Sequence, residues 1–326
     1  MKVLRPLAVL AGGLILVWLV WKIGIAALVA ELRQLSWRLP LILLPQAVTN
    51  VFKTAGWGSA FPRRRPGFGL LFPVRLAGEA VNETTPTGTM GGDALKAFLL
   101  VRGKAGVPVE EGLVAVVVAK TALVASLAAF VAGALVLAWA LADTPPAMLA
   151  LLALLAAYMA ASTVGFMWAQ LRGIFRMGGR ALAWMGLGER VAAAAGRLDA
   201  ELRWFYRARR DRVAASFGLN LVGWVTGVFE TWLMLLLLGS PVPLLTALII
   251  EAGATGVRAV GFLVPGSLGV LEGGLVGIFA ILGLGPSTGL AFGLVRRIRE
   301  AVWILAGYAC LALLRRGRVA APDPGA

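Results

Sequence analysis

The sequence predicts an all-α fold: a polytopic integral membrane helical bundle with two broken or re-entrant hairpins in inverted arrangement. Three observations carry this expectation. Of 326 residues, 60% are hydrophobic and 14% charged, with a mean hydropathy of +0.86. Soluble domains run nearer half apolar and a quarter charged. The apolar residues fall in runs long enough to cross about 30 Å of hydrocarbon, which takes roughly 20 helical residues. The basic residues gather between those runs, as they do in the cytoplasmic loops of membrane proteins.

The elements follow in order. Lys2 and Arg5 precede an uncleaved first span over 7–29, longer than the roughly 7–15 residues of a signal-peptide core. A second span over 39–60 ends at Arg63, Arg64 and Arg65. Residues 67–101 are apolar but interrupted by Pro, Gly and charge. Spans over 113–141 and 148–168 lead into 171–212, where arginines alternate with apolar residues. Leu182, Met185, Leu187 and Val191 recur there at near-helical spacing, so this stretch reads as a cytoplasmic amphipathic basic segment near the headgroups. A span over 213–238, a second broken stretch over 242–285 and a last span over 288–314 complete a single transmembrane domain, 1–326.

Counting crossings fixes the orientation. Both termini are expected in the cytoplasm of a multi-pass protein of the cytoplasmic (inner) membrane, because Lys2 and Arg5 lie at one end and Arg315, Arg316 and Arg318 at the other. Residues 67–101 then begin and end on the cytoplasmic side, and 242–285 begin and end outside. Two interrupted, charge-bearing segments inserted from opposite faces are the mark of inverted repeats meeting at a central site.

Composition excludes several chemistries. The formal net charge is +15, from 31 basic and 16 acidic side chains. Within a membrane chain this points to anionic lipid headgroups rather than nucleic acid. Cys310 is the single cysteine and histidine is absent. That removes an intrachain disulfide, the Ser-His and Cys-His pairs, and most zinc sites. No catalytic set, metal or cofactor is expected. The run from Pro86 to Asp93 lacks the Gly-Lys-Ser/Thr of a phosphate-binding loop. Any transport is therefore expected to couple to an ion gradient or to nothing.

Charges inside spans single out candidate site residues, since each costs about 2.5–3.5 kcal/mol to insert. Arg75 and Glu79 share a helix face, as do Glu251 and Arg258, and Arg296 and Glu300. Structural ion pairing within each couple is the plain reading. The functional reading is a polar cavity in which Arg75, Lys120 and Arg258 meet a lipid phosphate. Glu79, Asp93, Glu251 and Glu272 then balance those cations, bind a proton or meet a cationic headgroup. Asn82, Thr85 and Ser267 supply neutral hydrogen bonds, and amides at the helix starts after the breaks add anion-binding capacity. Glu230 is alone in its span and needs a partner or a proton.

The stretch Asn82, Pro86, Gly88, Gly91, Gly92 and Asp93 resembles a hallmark of the lysylphosphatidylglycerol synthase transmembrane-region family, also called flippase-like or uncharacterised protein family 0104. Pro265, Gly266, Gly269 and Glu272 resemble its second hallmark. The resemblance implies a lipid-handling membrane domain, here as a stand-alone member without the synthase domain, with a hopanoid association among its relatives. Substrate contact is implied for Asn82, Pro86, Gly88, Gly91, Gly92, Asp93, Pro265, Gly266 and Glu272. The expected function is a lipid flippase or transporter moving an amphipathic or lipid-linked molecule across the membrane. The alternatives are a membrane-embedded lipid-modifying transferase and a non-transporting scaffold for lipid-synthesis enzymes.

Overall fold

The computed structural model describes residues 40–63, 65–85, 90–101, 106–141, 143–182, 189–261, 264 and 267–319. The expected first span and Pro86, Gly88, Pro265 and Gly266 lie outside them. The described residues form eleven α-helices. They are α1 Leu43–Ser59, α2 Phe68–Thr84, α3 Met90–Val101, α4 Val109–Leu141, α5 Pro146–Leu171, α6 Ile174–Leu182, α7 Glu189–Ala208, α8 Arg210–Leu237, α9 Leu244–Val260, α10 Val270–Ile281 and α11 Pro286–Val319.

By length and composition α4, α5 and α8 can each cross a membrane. The flanks of α4 and α5 are apolar outward as well as inward, with Trp139, Leu141, Leu154 and Val164 exposed. A helix that is apolar all round belongs in a core or a bilayer. Local chemistry sets the ends. Glu110 and Glu111 sit in the first turn of α4, where the helix dipole favours negative charge. Pro146 begins α5 with its φ already helical. At the end of α8, Gly239 adopts φ 74° and the Ser240 N–H donates to the Leu235 carbonyl at 3.0 Å, a Schellman stop.

The helices form two matched units. In the first, α1 is followed by the α2–α3 hairpin and then α4. In the second, α8 is followed by the α9–α10 hairpin and then α11. Packing repeats the correspondence: α3 lies on α4 as α10 lies on α11, and α2 packs on α11 as α9 packs on α4. The two leading helices pack on each other. Their register is antiparallel, because Thr49 bonds Thr226 at 2.7 Å, Lys53 stacks over Trp224 and Gly56 abuts Asn220. Equivalent helices that run antiparallel make the second unit an inverted copy of the first. Each hairpin is antiparallel too. Gly78 faces Lys96 and Gly92 in one, while Gly253 faces Ile278 and Gly261 faces Val270 in the other.

One large apolar cluster joins α4, α5 and α8 to α11, with Met148, Leu152, Met234, Leu235, Phe279 and Phe292 buried within it. A smaller one seats the first hairpin, through Trp57, Phe61, Leu71, Leu100 and Leu311. At the basic end, α6 folds back on α7, and the buried Asp199 carboxylate accepts the Arg176 N–H at 2.7 Å. The side chains of Leu182, Met185, Leu187 and Val191 lie outside the described residues.

A polar clasp ties α4, α5 and α7 together. Gln170 is 1% exposed, donates to Thr121 Oγ1 at 2.9 Å and accepts from the Tyr206 hydroxyl at 2.8 Å. Burial pushes the Tyr206 hydroxyl above its ordinary range, so it stays a donor. Replacing Gln170 with Leu removes both of its bonds, leaving Tyr206 only its longer bond to Thr121 at 3.2 Å, and is expected to lower stability by about 1–3 kcal/mol. Thermal unfolding in detergent checks this; a change below experimental error counts against the clasp.

Candidate functional site

Between the two hairpins lies a polar cavity of about 250 Å³, beside a smaller chamber of about 60 Å³ that shares Lys53, Arg75, Glu79 and Leu123 in its wall. Together the chambers fall near the lower limit of sites for drug-sized ligands, about 300–1,000 Å³. They are therefore the size of a headgroup and not of a whole lipid. The walls come from α1, α2, α4, α8, α9 and α11, with α3 closing the smaller chamber.

Arg75, Glu79, Asp93, Lys120, Glu230, Glu251 and Arg258 all line these chambers. Their partners differ from those that sequence spacing suggests. Arg75 does not pair with Glu79; it donates to Asn50 Oδ1 at 3.0 Å, while Glu79 accepts from Lys96 at 2.6 Å. Glu251 does not pair with Arg258. It meets Arg296 in a two-pronged contact at 2.8 and 3.2 Å and accepts the Thr231 hydroxyl at 2.6 Å. Arg258 instead bridges Glu83 at 2.7 Å and Glu300. Glu230, alone in its own span, is paired with Arg299 of α11. Helical spacing reports which residues share a face, but in a bundle the partner sits on the neighbouring helix.

The α11 helix gathers these contacts. Arg296 holds α9 through Glu251, Arg297 holds α10 through Glu272 at 2.5 Å, and Arg299 holds α8 through Glu230. Glu300 meets Arg258, which also reaches Glu83 on α2. The units repeat one pairing: Asp93, in the first turn of α3, meets Lys120 of α4 at 3.3 Å, as Glu272, in the first turn of α10, meets Arg297 of α11.

Other predicted residues build the hairpins and do not line the cavity. Asn82 is buried, accepts the Gly92 N–H at 2.7 Å and reaches Asp93 at 3.5 Å. Gly92 is so close to α2 that an added Cβ would fall 1.8 Å from the Gly78 carbonyl oxygen. Thr85 caps the end of α2 through Val81, and Gly91 is a part-exposed member of α3. Ser267, at φ 51°, donates to the Arg258 and Gly261 carbonyls at 3.3 Å and closes the second hairpin. Glu272 accepts the Gly269 N–H at 2.7 Å. The Gly92 and Gly269 amides are thus occupied from within by Asn82 and Glu272.

Sequence reasoning missed Asn50, Lys53, Trp57 and Trp303, which line the chambers. Lys53 and Asn50 were legible only as polar residues three apart inside an apolar run. Gly223 makes room for the Lys53 stem, which would meet a Cβ there at 3.2 Å, and the Lys53 ammonium lies 3.6 Å over the Trp224 ring.

Residues 6–307 match the model of the family described as the lysylphosphatidylglycerol synthase TM region. The chain belongs to that family. It is a membrane protein of a lipid-related family, in keeping with its long apolar helices. No curated protein and no solved structure matches it.

Proposed function

We propose that this chain moves an amphipathic lipid, or a lipid-linked molecule, across the cytoplasmic (inner) membrane, its headgroup passing through the cavity between the two hairpins. The observation that supports this most is the Glu83–Arg258 bridge, which joins the two hairpins beside a headgroup-sized, ion-lined space in an otherwise apolar bundle. Ionisable groups inside a membrane bundle mark a substrate or ion path, and matched inverted units around such a site are the plan of alternating-access transporters. In this reading the hairpins enter from opposite leaflets, both termini face the cytoplasm, and α6 and α7 rest at the cytoplasmic headgroups. The partners are membrane lipids with anionic headgroups. The chamber-lining set is Arg75, Glu79, Asp93, Lys120, Glu230, Glu251 and Arg258. Asn82, Thr85, Gly91, Gly92, Ser267 and Glu272 shape the hairpins, and Pro86, Gly88, Pro265 and Gly266 complete the candidate set from the sequence alone.

Reconstituted protein should exchange fluorescent phospholipid between the leaflets of liposomes without altering it. Arg258→Gln, which removes the bridge, should return exchange to the level of protein-free vesicles. A new lipid product would favour a transferase. Neither exchange nor product, together with copurified synthesis enzymes, would favour a scaffold.

A further inference from the structure

The cavity is not chemically neutral toward its ligand. Every carboxylate lining the chambers already has a basic partner. Glu79 and Asp93 meet Lys96, and Asp93 also meets Lys120. Glu83 and Glu300 meet Arg258, Glu230 meets Arg299, and Glu251 meets Arg296. Two basic side chains are different. Among the described residues no carboxylate lies within ion-pairing distance of Lys53 or Arg75; Arg75 is 8% exposed, and its one side-chain partner is the neutral Asn50. Both residues line both chambers.

The neutral groups point the same way. Asn50, 4% exposed, turns its oxygen to Arg75, which leaves its Nδ2 without a partner. Trp57 and Trp303 also line the chambers, and the indole N–H of each is buried without an acceptor. Among the described residues, the chamber-lining buried atoms left unmatched are N–H donors. The unmatched buried oxygens, on Asp199 and Ser216, lie outside the chambers. Unpaired buried donors are costly until an acceptor arrives. A guanidinium, an ammonium and an amide converging on one space suit a phosphate.

We infer that the site takes a net-anionic phospholipid, its phosphate held by Lys53, Arg75 and Asn50, and rejects headgroups that carry an ammonium. An ammonium would find every lining carboxylate already engaged and would have to displace a buried arginine or lysine to be paired. This rests on the translocation reading and names the substrate class for the same cavity.

The test uses the purified full chain in detergent, with tryptophan fluorescence reporting binding of dihexanoyl phosphatidylglycerol, dihexanoyl phosphatidylethanolamine and inorganic phosphate. Phosphatidylglycerol should bind about tenfold tighter than phosphatidylethanolamine, the scale of one charge-assisted hydrogen bond. Inorganic phosphate should bind more weakly than phosphatidylglycerol; equal affinity would assign the site to free phosphate and overturn the lipid assignment. Arg75→Gln should abolish the preference, and Lys53→Glu, which adds an unmatched carboxylate, should bring phosphatidylethanolamine at least to parity. Equal or tighter binding of phosphatidylethanolamine by the unaltered protein overturns the inference, whatever the variants do. Leaflet exchange that persists for phosphatidylethanolamine would leave translocation standing while sinking this selectivity.

Discussion

Arg296→Met is expected to lower stability by about 3–5 kcal/mol, because it leaves the Glu251 carboxylate as an uncompensated charge in the interior. The side chains of Arg296 and Glu251 are 7% and 5% exposed, and their contact has two prongs. The remaining partner of Glu251 is the Thr231 hydroxyl, which cannot neutralise a carboxylate. The expectation for the double variant is the opposite. Arg296→Met with Glu251→Gln removes both charges, and replacing a whole buried pair is often neutral or better. It should recover most of the lost thermal stability in detergent. A double variant as unstable as the single one would mean that Arg296 acts through packing against Phe292, whose ring centre lies 5.6 Å from its guanidinium.

Gly92→Ala is the second large effect. The added Cβ would sit 1.8 Å from a backbone oxygen, and a backbone cannot swing aside as a side chain can. The α2–α3 hairpin must open, and overpacking of this kind costs about 1–3 kcal/mol, more where main chain collides. Opening it also pulls the Gly92 N–H from Asn82 and Lys96 from Glu79. Loss of stability and of leaflet exchange should therefore appear together. Gly273→Ala is the matched control. Nothing lies within 4 Å of its added Cβ, and alanine is the better helix former by up to about 1 kcal/mol. It should be neutral or mildly stabilising. Equal behaviour of the two alanine variants would remove steric closeness as the reason for glycine at position 92.

Much of the architecture was legible because the bilayer imposes a simple rule. A run of some 20 apolar residues can satisfy its backbone only as a helix. That rule finds α4, α5 and α8 directly. The broken stretches were legible for the converse reason: Gly, Pro and charge inside apolar runs, as around Asn82 to Asp93, have to be accounted for. The cavity itself was only half legible. Arg75, Glu251 and Arg258 stand out as charges in spans, but nothing along the chain pairs Arg258 with Glu83, 175 residues earlier. Lys53 was visible only as a basic residue inside the second span, and only the crossing of α1 with α8 places it on the cavity wall. Asn82 shows that a motif residue can serve a backbone contact, here the Gly92 N–H, as well as a ligand.

Successive residues on an α-helix point about 100° apart, so Arg296 and Glu300 of α11 share one face while Arg297 and Arg299 point to either side of it. Each is hooked to a different neighbouring group. Turning α11 by even one residue would unhook all four at once, whereas tilting a single hairpin strains only the hooks it carries. On the translocation reading the helix would serve as the axle. Any cycle of opening toward one leaflet and then the other would be made by the hairpins swinging about it, one at a time.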